Sequence, residues 1–171
     1  MDLKQKLRHV ADFPKEGIDF IDITTVLQDP AALNQSIEEM KKLAQEIGKF
    51  DLVIGPESRG FIFGAPLAYA LNKGFVPIRK KGKLPYKTVS VEYQLEYGKD
   101  MLEIHEDAIQ PGQRVVIVDD LLATGGTTEA NIRLVEKLGG EVAGLVFFIE
   151  LGFLDGRKRL QGYKVRSVVN F

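Results

Sequence analysis

Val115-Val-Ile-Val-Asp-Asp-Leu-Leu-Ala-Thr-Gly-Gly-Thr127 is the stretch that decides the fold. Its four β-branched apolar residues, Val115 to Val118, read as a strand buried on both faces. Asp119 and Asp120 stand where that strand is expected to end, and Ala123-Thr124-Gly125-Gly126-Thr127 leads into a helical pattern from Thr128 to Leu138. In open α/β sheets, ligands bind beyond the carboxyl ends of the strands. Gly125 and Gly126 let the backbone turn with unusual φ and come close to a ligand. Amides of such a loop at a helix N-terminus suit phosphate. The segment therefore offers a phosphate cradle beside two acids, which suits a sugar phosphate whose hydroxyls the carboxylates hold.

Outward from this segment, helical and extended patterns alternate. Leu3, Leu7 and Val10 have the spacing of a short N-terminal helix, and the turn-rich Phe13-Pro14 and Glu16-Gly17 precede Phe20-Ile21-Asp22-Ile23. Asp29-Pro30 is a helix start, with Asp at the cap and Pro in the first turn. Leu33, Ile37, Met40, Ala44 and Ile47 then line one helical face, and Gly48 suits the C-terminal cap. Leu52 to Gly55, Phe75 to Ile78, Glu141 to Ile149 and Tyr163 to Phe171 read as further strands, and Phe61 to Leu71 as a helix. Lys80 to Asp100 is polar, with Thr88 to Tyr93 patterned like a hairpin arm. The pattern predicts an α/β fold, a mainly parallel twisted sheet flanked by helices, in one domain over residues 1–171.

Composition narrows the function classes. At 171 residues with 44% hydrophobic and 27% charged content, the chain reads as a soluble globular protein with a core of ordinary size. A net charge of −1 argues against a nucleic-acid binder. No cysteine means no disulfide and no thiol chemistry, which fits a reducing compartment. The N-terminus has no apolar signal core, and Val142 to Phe148, with Gly144 inside, is too short to span a bilayer. A cytoplasmic enzyme with no membrane partner is the expectation.

Three further segments bear chemistry. In Gly55-Pro-Glu-Ser-Arg-Gly60, again between strand and helix, Ser58 suits a helix cap and the planar fork of Arg59 suits phosphate oxygens. Arg79, Lys80, Lys81, Lys83 and Lys87 form a basic run that directly follows a strand, so its first residues fall at the phosphate-binding end. Tyr93-Gln-Leu-Glu-Tyr-Gly-Lys99 lies in a stretch long enough to be a lid.

The opening segment resembles the phosphoribosyl-diphosphate (PRPP) motif of type I phosphoribosyltransferases: an apolar strand, two acids, then Thr-Gly-Gly-Thr. The resemblance implies that Asp119, Asp120, Ala123, Thr124, Gly125, Gly126 and Thr127 bind PRPP. It also implies that Glu57, Ser58, Arg59 and Gly60 form a pyrophosphate loop with a cis Glu57–Ser58 bond, and that Arg79 and Lys83 add cations to it. Lys80, Lys81 and Lys87 are left as solvated. Glu96 and Tyr97 match the catalytic pair of a flexible loop, about residues 83–99, that closes over PRPP.

Phe13-Pro14, Gly17, Phe20, Asp22-Ile23, Arg79-Lys-Lys-Gly-Lys-Leu-Pro85, Leu95-Glu-Tyr-Gly-Lys99 and Leu121-Leu122 resemble the adenine-specific members of that family, over nearly the whole chain. The implied activity is pentosyl transfer from PRPP to adenine, giving AMP and pyrophosphate in purine salvage. A small N-terminal hood, about residues 1–30, would hold the base. Phe20 would stack on the purine, main-chain groups of Asp19 and Ile21 would read its edge, and Leu151 would close the pocket. Ile21 stands where many members carry a basic residue, so only main-chain contacts are implied there. Catalysis is assigned to Glu96, Tyr97 and Arg59. The cofactor implied is Mg2+, held mainly through PRPP and water near Asp119 and Asp120 with no direct protein ligand set, and the assembly implied is a homodimer. Two alternatives stay open: an oxopurine acceptor, which would want a Lys or Arg near Ile21, and a PRPP-sensing regulator, which would carry an added DNA-binding region.

Overall fold

Val115, Val116, Ile117 and Val118 are all fully buried, and their strand lies inside the main sheet. The computed structural model describes residues 1–95 and 97–171. In chain order the elements are α1 (Leu3–Lys6), β1 (Arg8–Ala11), β2 (Asp19–Asp22), α2 (Thr24–Leu27), α3 (Pro30–Ile47), β3 (Leu52–Pro56), α4 (Arg59–Ala70), β4 (Gly74–Lys80), β5 (Thr88–Gln94), β6 (Lys99–His105), β7 (Arg114–Leu122), α5 (Gly126–Lys137), β8 (Glu141–Glu150) and β9 (Val165–Asn170), with 3₁₀ turns at Gly152–Leu154 and Gly156–Leu160. Among the described residues, seven strands make one sheet in the order β5-β6-β4-β3-β7-β8-β9, and β1 and β2 make a separate pair. Strands β4, β3, β7, β8 and β9 run parallel to one another, while β6 is antiparallel to both β4 and β5.

Successive side chains of a strand point to opposite faces, and β7 fills a core on each side. Val116 and Val118 pack with α3 and α4, among Met40, Ile47, Phe63 and Leu67. Val115 and Ile117 pack with α5 and β6, among Leu134, Val135 and Ile104. Strand β8 divides in the same way: Phe147 enters the α5 core, and Phe148 stacks on Phe63 with ring centroids 4.8 Å apart. Helix α3 starts as expected, with the Asp29 carboxylate accepting from the amides of Ala31 and Ala32, and it ends at Gly48 with φ +113°. Among the described residues no helix is long and apolar enough to cross a membrane.

The structure corrects several local expectations. The N-terminal helix stops at Lys6, and Val10 lies in β1 opposite Phe20 of β2. Leu3 and Leu7 do bury as their spacing suggests, but Arg8–Ala11 finds a pairing strand that helical spacing cannot reveal. Strand β7 does not end at the acids. It runs on to Leu122, paired with Glu150 of β8. Ser58 occupies the cap position of α4 but makes no side-chain capping bond.

Part of the stretch expected as a lid, about residues 83–99, lies in the sheet. Thr88–Gln94 pairs along its length with β6, a strand the sequence pattern did not announce. Helix α5 fastens it further: Arg133 donates to the Glu92 carbonyl at 2.8 Å and Lys137 to that of Ser90 at 3.1 Å. Only the hairpin tip stands beyond these arms, closed by Leu95 N–H donating to Gly98 O at 2.9 Å.

Truncating Phe148 removes a fully buried ring and its stack on Phe63. Phe148→Ala is expected to lower the unfolding free energy by about 3–5 kcal/mol, measured by urea denaturation. A loss below about 1 kcal/mol would mean that the two-sided packing does not hold the sheet.

Candidate active site

The parallel strands end on one side of the sheet, and a cavity of about 290 Å³ opens there. Strand β7 contributes Asp119, Asp120 and Leu121 to it, the turn after β3 contributes Glu57, Ser58 and Arg59, and the loop into α5 contributes Ala123 to Thr128. The sequence-predicted PRPP residues and most of the pyrophosphate loop thus meet around one space.

Asp120 is 5% exposed and pairs with Arg59, whose Nε lies 2.9 Å from Oδ2. Asp119 Oδ1 accepts from the Asp120 amide at 2.8 Å. Gly60 allows this crowding, since a Cβ there would lie 3.0 Å from Asp119 Oδ1 and 2.8 Å from the Pro56 ring. Asp119 keeps a partly exposed edge on the cavity, yet its surroundings are dense. That burial first, and the neighbouring Asp120 charge second, push its carboxyl well above the usual range, against the opposing pull of Arg59.

The two glycines of the loop into α5 differ. Gly125 caps α5 with φ +87°, and a Cβ there would come 2.8 Å from the Gly156 carbonyl. Gly126 has no such φ and open space where a Cβ would stand, so the expectation of unusual φ holds for Gly125 only. Behind the loop sits the Gly156–Leu160 turn, where a side chain on Gly156 would collide with the Ala123 carbonyl. Glu150 fixes that turn. It accepts from Arg157 Nε and Nη2 at 2.6 and 2.7 Å and from Ser167 at 2.6 Å. Nothing in the sequence pattern singled out Gly156 or this pair.

The Glu57–Ser58 peptide is cis, as the resemblance implies, and so is Phe13–Pro14. Glu57 N–H donates to Ile78 O at 2.8 Å, tying the loop to β4. The Glu57 carboxylate faces cations and an amide. It accepts from Lys83 Nζ at 2.6 Å and from Lys80 N–H at 2.7 Å, with Arg79 Nε at 3.3 Å. Burial raises this carboxyl, but the Lys83 bond, the Lys80 amide and the charges of Lys83 and Arg79 outweigh it and leave the group below its ordinary value.

Arg79 and Lys83 therefore gather on Glu57 and do not line the cavity. Lys80, expected to be solvated, does line it, with Tyr93 and Leu102 of the β5–β6 hairpin. Its place at the carboxyl end of β4 was the available signal for Lys80. Tyr93 and Leu102 needed the β5–β6 pairing.

The expected base residues adjoin the cavity without lining it. Phe20 is half-buried, meets Phe13 edge-on at 5.1 Å and lies 5.5 Å from the Arg59 guanidinium. Arg59 thus links Phe20 to Asp120. The Ile21 side chain is buried in the core, and Asp19 pairs with His9 Nδ1 at 2.7 Å. Leu151 packs on the same core, its N–H donating to Leu122 O at 2.9 Å. Tyr97 is 84% exposed, with Lys15 Nζ 5.8 Å from its ring, so its side chain lies beside the N-terminal segment and not in the cavity. Glu96 lies outside the described residues.

Comparison with known proteins gives this geometry a class. The family model of the phosphoribosyl transferase domain matches residues 22–169, and the mainly parallel sheet with its flanking helices is the type I phosphoribosyltransferase fold. The adenine phosphoribosyltransferase of Ruminiclostridium cellulolyticum is 74% identical over 171 residues, covering all of both chains. The crystal structure of adenine phosphoribosyltransferase from Thermoanaerobacter pseudethanolicus superposes with a TM-score of 0.96 at 60% identity, covering 99% of this chain and 98% of that one. That from Saccharomyces cerevisiae, complexed with an imino-altritol bisphosphate and adenine, superposes at 0.93 with 41% identity over 98% and 96% of the two chains. The chain belongs to the adenine phosphoribosyltransferase family.

A raised carboxyl pKa favours the protonated form in the fold. The stability tied to Asp119 is therefore complete below its unfolded value of 3.8 and is lost as pH rises through the higher folded value. Asp119→Asn is expected to raise Tm at pH 7 more than at pH 4, measured by thermal unfolding at both. An equal or lower Tm at pH 7 would show that the buried acid carries no such cost.

Proposed function

We propose that this enzyme transfers the 5-phosphoribosyl group of PRPP to N9 of adenine, releasing AMP and pyrophosphate, with the β7 cavity as its active site. The observation that carries the reading is the meeting of two carboxylates with a helix-terminal glycine loop in one space. Amides from Ala123 to Thr127 hold the 5-phosphate at the positive end of α5. Asp119 and Asp120 hold the ribose hydroxyls. As the glycosidic bond breaks, positive charge spreads over the ribose, and two nearby carboxylates stabilise it electrostatically. That charge favours ionised Asp119 and offsets the penalty burial imposes on it. Ser58 and Gly60 supply loop amides to the departing pyrophosphate, and Arg59, Arg79 and Lys83 supply cations.

Adenine stacks on Phe20, with main-chain groups of Asp19 and Ile21 and the side chain of Leu151 completing a neutral, flat pocket in a hood of about residues 1–30. The β5–β6 hairpin tip brings Glu96, as general base, and Tyr97 to the reaction centre and shuts out water. The closeness of Lys15 and Tyr97 supports a hood and tip that meet over the base.

Members of this family use Mg2+ with PRPP, and the donors here fit an ion that brings most of its ligands with it. Among the described residues no three His, Cys, Asp or Glu side chains converge as a metal cage, while Asp119 and Asp120 offer hard oxygens beside the substrate space. Magnesium commonly keeps its waters and takes substrate oxygens in such a setting, and when bound it neutralises charge on the pyrophosphate. A homodimer is supported by α4, where Ile62, Ala65, Pro66 and Tyr69 form an exposed apolar stripe at helical spacing. A cysteine-free chain of near-neutral charge supports a cytoplasmic enzyme without nucleic-acid or membrane partners.

With labelled PRPP, a labelled nucleoside monophosphate is expected to form with adenine and not with hypoxanthine, xanthine or guanine. Asp119→Asn and Asp120→Asn should each lower turnover at saturating PRPP by about 10²–10³-fold. Near wild-type turnover in both would remove the acids from the site.

The glycine loop gives a sharper test of the phosphate cradle. Gly126→Ala should fold like the parent, because its Cβ meets open space. It should nonetheless weaken AMP binding by calorimetry, since the methyl group intrudes where the phosphate approaches the backbone. Gly125→Ala should lose stability as well, having both a positive φ and a carbonyl at 2.8 Å. Unchanged AMP affinity in folded Gly126→Ala would contradict the cradle.

A further inference from the structure

We propose that Glu57 is a built-in competitor of pyrophosphate: its carboxylate holds the cations that the pyrophosphate must take over, and so sets how readily that product leaves. The inference rests on the reading that Lys83 and Arg79 bind pyrophosphate.

Glu57 is the fixed member of the group. Its side chain is 10% exposed and its amide is bonded to β4, whereas the Lys83 and Arg79 side chains are 47% and 35% exposed. Lys83 sits in the turn after β4 on a long flexible stem, so the cation can change partners while the carboxylate stays. Lys83 spends its charge on Glu57 Oε2 at 2.6 Å. Oε1 is already taken by the Lys80 amide at 2.7 Å. Arg79 Nε, 3.3 Å from that same oxygen, is buried with no aligned hydrogen bond. One carboxylate thus serves two cations, and it satisfies only one of them fully.

A pyrophosphate oxygen offers Arg79 the aligned acceptor it lacks and offers Lys83 a more highly charged partner. Binding is therefore an exchange of anions on the same cations. An exchange is weaker than capture by unpaired cations, because the apparent affinity falls with the fraction of cation left free. If Glu57 were absent, Lys83 and Arg79 would meet the product with that carboxylate's charge removed, while Lys80 Nζ keeps Asp100 Oδ2 at 3.4 Å. Glu57 lines the cavity itself, so it is placed to reclaim Lys83 as pyrophosphate departs.

Glu57→Gln keeps an oxygen for the Lys80 amide and removes the charge. It is expected to tighten pyrophosphate, lowering its inhibition constant about tenfold, while AMP affinity by calorimetry stays within twofold. Turnover should fall as release slows. A merely structural role would weaken pyrophosphate or disturb AMP as well, and either outcome, or an unchanged inhibition constant, overturns the proposal. Glu57→Asp retains the charge but is too short to reach Lys83 and the Lys80 amide together. It should tighten pyrophosphate less and in the same direction, and it decides the matter if Glu57→Gln does not fold. Lys83→Met separates the two readings. Unchanged pyrophosphate affinity there means that the underlying assignment of Lys83 fails. Weakened affinity there, without tightening in the Glu57 variants, means that only the competition fails.

Discussion

The rest of the structure depends on the burial of β7 on both faces. A strand whose alternate residues fill two separate cores cannot slip by one residue without exchanging the contents of both. Val116 and Val118 are committed to the α3 and α4 side, Val115 and Ile117 to the α5 side. That constraint fixes where the apolar run stops and hence where Asp119 and Asp120 emerge. Because β3, β4 and β8 run parallel to it, directly or through β3, the polar ends of all four strands fall on the same edge. The cavity is the consequence of this alignment, and its acids are placed by core packing rather than by bonds among themselves.

Charge at the site is arranged in chains and not in isolated pairs. Arg59 stands between Asp120 and the Phe20 ring, and so links the cavity to the N-terminal segment. Glu57 gathers Lys83, Arg79 and the Lys80 amide. Asp119 is the exception: it is raised by burial and by Asp120, with Arg59 spent mostly on its neighbour. An acid kept under that strain gains most when positive charge develops beside it, which is the condition of a ribosyl centre losing its leaving group. Under the proposed mechanism, stability and activity pull in opposite directions at this residue.

The loop into α5 also needs a wall behind it. Gly125 and Gly156 bring two backbones closer than side chains would permit, and the bidentate Glu150–Arg157 pair holds the Gly156–Leu160 turn in place. A partly buried, doubly hydrogen-bonded ion pair of this kind has a fixed geometry. The loop is thereby positioned by a segment about thirty residues further along, beyond β8.

Much of the fold and the centre of the site were legible in local pattern. The Val-Val-Ile-Val run, Asp29-Pro30 with Gly48, and the acid pair before Thr-Gly-Gly-Thr each act through neighbours in the chain, where periodicity, capping and turn chemistry operate. Other features were not legible. Arg8–Ala11 became a strand because β2 was there to pair with it, and the partners of the Thr88–Gln94 arm, β6 and α5, showed only in the folded chain. The pairing of Lys83 with an acid 26 residues away was equally invisible to local pattern. Gly156 mattered only once the chain had returned past Ala123. The sequence by itself determined the strand-turn-helix units and the acids and glycine loop that follow the apolar run of β7, because these depend on interactions within a few residues. The tertiary structure alone decided which strands pair, which cations an acid occupies and what stands behind the loop, because these depend on distances that only the folded chain brings to contact.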